Sequence, residues 1–254
     1  MKIAISGKGG VGKTTLAALL IDYFRKKGKK VLAVDADPDA NLALALGVAD
    51  PESITPLSEM KQLVAERTES QPGKFGGMFK MNPKVDDIPE KYSRQLDGVK
   101  LIVMGGVKKG GSGCVCPESV LLRTLVTHLV LLRDEVVVMD MEAGIEHLGR
   151  ATATGVDRLL VVVEPGRRSI ETAEHVRKLA KDLGLTKVAI VGNKIRTDKD
   201  KEFLEKNLPD IPILGFMPYD ERVIEADLTG KPPFDLSPAL TAVAEEIGRQ
   251  LEKA

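Results

Sequence analysis

The stretch that decides the fold is Met1–Thr15, which reads MKIAISGKGGVGKTT. Its first part, Lys2–Ser6, is a short apolar run with two isoleucines, and this predicts a buried strand. The loop Gly7–Thr14 matches the pattern G-x-x-x-x-G-K-[ST], and Leu16–Phe24 follows with helical periodicity. A strand, a glycine-rich loop and a helix in this order predict a phosphate-binding loop.

The composition of this loop follows from its chemistry. Glycines let successive backbone N–H groups approach a polyphosphate closely, and the helix that follows presents its positive end to the anion. Lys13 is predicted to reach the β- and γ-phosphate oxygens, and the Thr14 hydroxyl is predicted to coordinate Mg²⁺. ATP or ADP and Mg²⁺ are therefore the expected cofactors, and the expected nucleotide-binding residues of the loop are Gly7, Lys8, Gly9, Gly10, Val11, Gly12, Lys13, Thr14 and Thr15.

The overall composition limits the classes of partner. The chain has 254 residues, of which 43% are hydrophobic, so it can bury a sizeable core. Its 37 Lys and Arg residues equal its 37 Asp and Glu residues, so charge gives no reason to expect binding to nucleic acid or to a membrane. There is no apolar run of about 18 residues and no leader before the phosphate loop, so a cytoplasmic protein is expected.

Predicted strands alternate with predicted helices along the chain. This indicates one α/β domain over residues 1–254, with a doubly wound, mostly parallel sheet and helices on both faces. The least regular part is an insertion at about residues 52–92. Within it we predict a helix at Pro56–Thr68, a short strand at Met78–Pro83 and a helical turn at Lys91–Leu96. The nucleotide is expected at the carboxyl ends of the strands.

Two further predicted strands lead into aspartates. Lys30–Val34 runs into Asp35-Ala36-Asp37, and the apolar run EVVVMD ends at Asp140. In a doubly wound sheet such ends face the nucleotide, where carboxylates manage Mg²⁺ and the attacking water. Asp140 is predicted to contact Mg²⁺ through water, and Asp35 is predicted to be structural or to support the site. Asp37 is a candidate for such a carboxylate. The alternative is that it only forms a turn that opens a short helix at Asn41–Leu46.

Both cysteines of the chain, Cys114 and Cys116, lie in a glycine-rich loop just before a predicted helix at Glu118–Leu132. A helix N-terminus lowers the pKa of a nearby thiol and so favours the thiolate that binds metals. Two thiolates do not complete a tetrahedral site, but two copies of the chain across a two-fold axis bring four together. The loop therefore predicts a metal site between subunits, and four thiolates suit Zn²⁺, iron–sulfur clusters and Ni²⁺ alike. A redox-active disulfide is the alternative, although a bridge across one residue is strained.

The loop GKGGVGKTT resembles the deviant Walker A motif of the MinD, Mrp and nitrogenase-iron-protein group of dimeric ATPases. In that group the early lysine, here Lys8, crosses the dimer interface to the nucleotide of the other subunit. The resemblance implies an ATP hydrolase that works as a nucleotide-dependent homodimer, with Lys8 and Lys13 as catalytic lysines. A lysine supplied in this way acts like an arginine finger.

The same resemblance extends to the loops after the later strands. The segment around Asp37 resembles switch I, which implies that Asp37 orients or deprotonates the hydrolytic water and supports Mg²⁺ through water. The segment after Asp140 resembles switch II, which implies that the backbone N–H of Gly144 contacts the γ-phosphate. Further along the chain, the base-contacting positions of the family correspond to Asn193, Pro218 and Asp220.

GGSGCVCPE together with VVVMDMEAGIEHLGR resembles the CooC family. That resemblance implies an ATP-dependent metallochaperone that binds nickel at a Cys-x-Cys site in the dimer interface. Its client would be carbon monoxide dehydrogenase or acetyl-CoA synthase. Two alternatives stay open: an iron–sulfur carrier of the Mrp type and a positioning ATPase of the MinD or ParA type. Iron–sulfur carriers of the Mrp type have a C-x-x-C near the C-terminus, and this chain has none. A positioning ATPase would require a DNA or membrane surface.

Overall fold

A computed structural model describes residues 1–70, 78–106, 116–132, 134–142 and 150–253. Its strands are β1 (Lys2–Gly7), β2 (Val31–Ala36), β3 (Arg94–Leu96), β4 (Val99–Val103), β5 (Val136–Met141), β6 (Arg158–Val163), β7 (Val188–Ile195) and β8 (Ile213–Pro218). Its α-helices are α1 (Lys13–Lys26), α2 (Leu42–Ala45), α3 (Lys61–Thr68), α4 (Ile88–Lys91), α5 (Pro117–Leu132), α6 (Arg150–Ala153), α7 (Arg167–Asp182), α8 (Asp198–Asn207), α9 (Arg222–Thr229), α10 (Pro233–Leu236) and α11 (Pro238–Lys253).

The strands form one sheet in the order β3-β4-β2-β5-β1-β6-β7-β8. All neighbouring strands are parallel except β3 and β4. From β1 the chain first builds towards β2 and β4 and later continues on the other side through β6, β7 and β8. The carboxyl end of β1 therefore lies at the point where the winding direction changes, which is where such sheets bind ligands. The predicted doubly wound, mostly parallel sheet is confirmed.

Helices cover both faces of the sheet because the inner strands are apolar on both sides. Along β1, Ile3 and Ile5 join a core with residues of α1, α2 and α11. Ala4, which points the other way, joins a core with residues of α3, α5, α7 and α8. This alternation follows from the two-residue period of a strand. Because β1 and β5 are direct parallel neighbours, the loops at their carboxyl ends lie side by side.

Two predictions within the insertion are wrong. Residues 78–83 form no strand, and the predicted helical turn at Lys91–Leu96 is instead the end of α4 followed by β3. Asp97-Gly98 makes a two-residue turn in which Gly98 has φ 75°, and this pairs β3 antiparallel to β4. An Asp-Gly pair favours such a hairpin because glycine takes positive φ without strain. The predicted helix at Pro56–Thr68 is also interrupted: Leu57–Glu59 is a 3₁₀ turn, and α3 follows it.

A partly buried ion pair ties the insertion together. The guanidinium of Arg67 on α3 donates to both carboxylate oxygens of Asp87, at 2.9 and 2.8 Å. These hydrogen bonds, with a further one from Lys91, hold the pKa of Asp87 well below its usual range. A two-pronged arginine–carboxylate contact fixes direction as well as distance. Among the described helices, none has both the length and the apolar character needed to span a bilayer.

Candidate functional site

The phosphate loop connects β1 directly to α1, as predicted. Gly12 precedes the first helical residue with φ 99°, in the left-handed region. A Cβ atom on Gly12 would lie 2.2 Å from the Asn193 amide nitrogen, so only glycine fits. No side chain caps the start of α1, and its first turn carries no acidic residue. The N-terminal N–H groups of α1 are therefore available to an anion.

The Thr14 end of the loop meets the carboxyl end of β5. The Thr14 hydroxyl donates to Asp140 Oδ2 at 2.6 Å. The other oxygen, Asp140 Oδ1, is buried and has no hydrogen-bond partner within the described part of the chain. Burial raises the pKa of Asp140 to about 6, despite the hydrogen bond from Thr14. A buried carboxylate with an unsatisfied oxygen beside a hydroxyl is an all-oxygen donor set that suits Mg²⁺.

Asp37 lies next to this pair. Its Oδ2 is 3.6 Å from Lys13 Nζ, so the lysine predicted to bind phosphate is paired with the aspartate predicted to orient water. Asp35 lies two residues earlier and is fully buried. Its carboxylate accepts hydrogen bonds from the backbone N–H of Leu42 at 2.8 Å and of Asp37 at 3.3 Å. Asp35 therefore fixes the backbone of the loop that carries Asp37.

Burial also affects the charge of Asp35. Loss of solvation raises its pKa to about 7, with smaller contributions from the nearby charges of Asp140 and Asp37. The carboxylates of Asp35, Asp37 and Asp140 concentrate negative charge at the carboxyl ends of β2 and β5, so positive charge is favoured there. Lys13 supplies part of it. The remainder is the electrostatic reason for a divalent cation at this point.

The residues predicted to contact the base lie at the ends of β7 and β8. Asn193, near the end of β7, is almost fully buried, and its side-chain amide donates to the Val11 carbonyl at 2.8 Å. It therefore braces the phosphate loop from outside. Pro218 ends β8, and the Asp220 carboxylate accepts hydrogen bonds from the Ser237 hydroxyl and from the Arg222 backbone N–H. Contact of Asn193, Pro218 and Asp220 with adenine stays a prediction.

The Lys8 end of the loop faces β6. Lys8 Nζ lies 3.3 Å from Glu164 Oε1, and Glu164 Oε2 accepts a hydrogen bond of 3.0 Å from Lys194. Lys194 Nζ also donates to the Gly10 carbonyl at 2.8 Å. Neither Glu164 nor Lys194 is among the predicted site residues. For Glu164 the sequence does contain a signal, because this acidic residue directly follows a strand, β6, as Asp37 directly follows β2.

Part of the predicted site lies outside the described residues, namely Cys114 and Gly144. Cys116 is described: it is partly buried, lies one residue before α5, and its Sγ is 3.4 Å from the Ser119 hydroxyl oxygen. The described residues contain no group of three or more His, Cys, Asp or Glu side chains arranged to hold a metal ion. The metal site at Cys114 and Cys116 stays a prediction.

Comparison with known proteins agrees with the geometry of the phosphate loop. The family described as the CobQ/CobB/MinD/ParA nucleotide binding domain matches residues 2–234. The chain belongs to this family. It is a nucleotide-binding ATPase of the MinD/ParA class, and ATP or ADP with Mg²⁺ are the cofactors that this class implies. The predicted enzyme class is confirmed.

Individual relatives refine the placement within the family. The chain is 51% identical to an uncharacterised ATP-binding protein of Methanocaldococcus jannaschii over 91% of this chain and 90% of that protein. It is 44% identical to the carbon monoxide dehydrogenase accessory protein CooC of Rhodospirillum rubrum over 98% of both. The predicted likeness to the CooC family within the MinD/ParA ATPases is therefore confirmed.

Among solved structures, the septum site-determining protein MinD of Pyrococcus horikoshii, in complex with Mg-ADP, has a TM-score of 0.70 at 25% identity. The alignment covers 99% of this chain and 95% of that one. MinD of Aquifex aeolicus, in complex with MinC, gives a TM-score of 0.71 at 22% identity, over 99% and 96% of the two chains, and shows the fold alone.

Proposed function

We propose that this ATPase is a metallochaperone that uses ATP binding and hydrolysis to deliver nickel to carbon monoxide dehydrogenase or acetyl-CoA synthase. The observation that carries the proposal is the 44% identity to CooC over 98% of the chain, in a sequence with its own Cys-x-Cys before α5. A likeness confined to the phosphate loop would support only ATP binding. Here the likeness also spans the cysteine loop.

ATP hydrolysis is assigned to the residues at the carboxyl ends of β1, β2 and β5. Lys13 leaves its pairing with Asp37 to bind the β- and γ-phosphates, which frees the Asp37 carboxylate to orient water. Thr14 and Asp140 hold the Mg²⁺ ion, which when bound supplies positive charge that neutralises the phosphates. Lys8 completes the site from the second subunit of a homodimer, and Gly144 contributes its N–H to the γ-phosphate.

The nickel site is assigned to Cys114 and Cys116 from two copies of the chain. Cys116 lies one residue before α5, so its thiol is held next to the first turn of that helix. Four thiolates suit Zn²⁺ as well as Ni²⁺, so Zn²⁺ is the natural competitor. Because the two cysteine pairs come from different subunits, metal affinity depends on how closely the subunits approach. Nucleotide and nickel are then coupled, and the coupling must be reciprocal.

The test is an anaerobic titration with Ni²⁺ alone, with and without ATP or ADP, read together with the oligomeric state. The wild type is expected to bind about one Ni²⁺ per pair of chains, with an affinity that changes with the nucleotide. The double variant Cys114→Ser/Cys116→Ser is expected to lose this binding. Ser119→Ala is a matched control, because it keeps both thiols and removes only the hydroxyl beside Cys116.

The outcome separates the proposed function from its alternatives. Nickel binding that persists without the two thiols, or that is absent from the wild type, contradicts the proposal. An anaerobic absorption spectrum with thiolate-to-iron bands after reconstitution would point to an iron–sulfur carrier instead. The likeness to MinD structures concerns the fold and gives no separate reason to favour a positioning ATPase.

A further inference from the structure

The Lys8 end of the phosphate loop contains an ion cluster of which the proposed mechanism uses only Lys8. We call it the Glu164 cluster, and it consists of Lys8, Glu164 and Lys194. Each carboxylate oxygen of Glu164 has its own lysine: Lys8 lies 3.3 Å from Oε1 and Lys194 lies 3.0 Å from Oε2. The cluster joins the residues that directly follow β1 and β6 to Lys194, which lies near the carboxyl end of β7, and these three strands are parallel neighbours.

The position of Glu164 is fixed by its own backbone. It follows β6 directly, and its N–H donates to the hydroxyl of the buried Ser169 at 3.1 Å. Pro165 comes next and restricts the chain before α7. Partial burial alone would raise the pKa of Glu164, but the hydrogen bonds from Lys194 and Lys8 hold it below its usual value. The carboxylate therefore stays charged at neutral pH and faces Lys8 in a set direction.

Lys194 is held more firmly than Lys8. Besides Glu164, it donates to the Gly10 carbonyl of the phosphate loop, from a backbone with φ 58°. Such a conformation is uncommon for a residue other than glycine and persists where the surroundings impose it. Among the described residues, the Lys8 ammonium contacts Glu164 alone. Lys8 can thus leave the cluster without leaving Glu164 unpaired, because Lys194 still neutralises it.

We propose that Glu164 is a positioning residue that holds Lys8 within its own subunit and releases it when the dimer closes on ATP. This inference rests on the proposed function, in which Lys8 acts across the dimer interface. Lys8 Nζ has one position at a time, so the contact with Glu164 competes with the contact to the nucleotide of the other subunit. Glu164 thereby lowers dimer formation and hydrolysis until ATP is bound on both sides.

The size of the effect follows from exposure. The side chains of Lys8 and Glu164 are 38% and 25% exposed, so water and salt screen the pair. Ion pairs of this kind contribute at most about 1 kcal/mol, which corresponds to about a fivefold change in an equilibrium constant. The contact is therefore strong enough to bias the open state and weak enough for ATP to overcome it.

The experiment compares the wild type with Glu164→Gln, which keeps shape and removes charge. The variant is expected to raise ATP-dependent dimer affinity and the basal ATPase rate by about two- to fivefold. Glu164→Asp, which keeps the charge and shortens the reach, is expected to lie between the two. Glu174→Gln is the matched control, because Glu174 pairs with Arg177 on the surface of α7, within one helix, and should leave both quantities unchanged.

A double-mutant cycle with Lys8→Met tests whether Glu164 acts through Lys8. In the Lys8→Met background, Glu164→Gln is expected to produce no further increase. Because Lys8→Met itself is expected to lower both quantities, the accessibility of Lys8 is needed as an independent readout. The second readout is the rate at which an amine-reactive acetylating reagent labels Lys8 in the nucleotide-free protein, measured by mass spectrometry. That rate is expected to rise in Glu164→Gln and to stay constant in Glu174→Gln.

The possible failures are distinguishable. If Lys8→Met leaves dimer formation and ATP hydrolysis unchanged, the trans role of Lys8 in the proposed function fails, and the inference fails with it. If Lys8→Met abolishes both while Glu164→Gln behaves like the wild type, the inference alone fails. A lower dimer affinity in Glu164→Gln also overturns it, because Glu164 would then support the closed interface.

Discussion

The two ends of the phosphate loop differ in how their charges are paired. At the Thr14 end, Asp140 is fully buried, and one of its oxygens has no hydrogen-bond partner in the part of the chain that the structure describes. At the Lys8 end, the charges are partly exposed, and both oxygens of Glu164 are paired with lysines. The first arrangement is incomplete without a ligand, and the second is complete within the chain.

This difference indicates which contacts are permanent and which are exchanged. A buried, incompletely paired carboxylate costs stability, so we expect the Thr14 end to bind a cation such as Mg²⁺ tightly. A screened and fully paired cluster is easily rearranged, so the Lys8 end suits a contact that is broken and re-formed in each cycle. The predictions below test this contrast, beginning with the largest effect.

Replacing Asp140 with Asn is expected to lower the Mg²⁺-dependent ATPase rate by a factor on the order of 10² or more, because it removes the charge that supports the ion. The rate is measured over a range of Mg²⁺ concentrations. Asp39→Asn, a change in the same region on an exposed side chain, is the control. A variant that retains the wild-type rate at limiting Mg²⁺ would show that Asp140 does not support the ion.

The same variant is expected to be more stable than the wild type without nucleotide, and increasingly so as pH rises. Folding raises the pKa of Asp140 from 3.8 to about 6. Its burial therefore leaves the free energy of unfolding unaffected below about pH 3.8, lowers it increasingly as pH rises, and has its full effect above about pH 6. That shift corresponds to about 3 kcal/mol. Urea unfolding of both proteins between pH 4 and pH 7 measures the difference. A constant difference across this range would contradict the burial argument.

At the centre of the loop, Gly12→Ala is expected to destabilise the nucleotide-free protein by about 1–3 kcal/mol, because it adds backbone strain at φ 99° and a clash with Asn193. Gly9→Ala is the matched control: it lies in the same loop, but a Cβ there meets nothing within 4 Å. Urea unfolding should place Gly9→Ala within about 0.5 kcal/mol of the wild type. Equal effects of the two changes would mean that the loop relaxes around Gly12.

The Thr14 end could be predicted from the sequence because each of its residues follows a recognisable local pattern. Thr14 belongs to a contiguous loop motif, and Asp140 ends an apolar run that is long enough to be a strand. Parallel strands then bring these ends together without further information. The helix Pro56–Thr68 was predicted less well, because its interruption depends on tertiary contacts such as the hydrogen bond from the Ser58 N–H to the Met104 carbonyl.

The Glu164 cluster could not be predicted in the same way. Its members are 156 and 30 residues apart along the chain, and no spacing rule connects them. Glu164 alone carried a signal, as an acid at the end of a strand. Which lysines it would contact depends on the order of β1, β6 and β7 in the sheet, and that order emerges only from the packed structure. The Asp-Gly turn before β4, by contrast, was a readable local signal.

The smallest expected effect concerns salt. Glu164→Gln should change the free energy of unfolding by less than about 1 kcal/mol at low ionic strength, and this change should nearly vanish in 1 M NaCl, because the pair is partly exposed. The change caused by Asp140→Asn at pH 7 should persist in 1 M NaCl, because its origin is burial rather than a screened charge pair. Urea unfolding of the wild type and both variants at low ionic strength and in 1 M NaCl gives the change in unfolding free energy for each variant at each salt concentration. If salt reduced both changes equally, the two ends of the loop would not differ in the way that their exposure indicates.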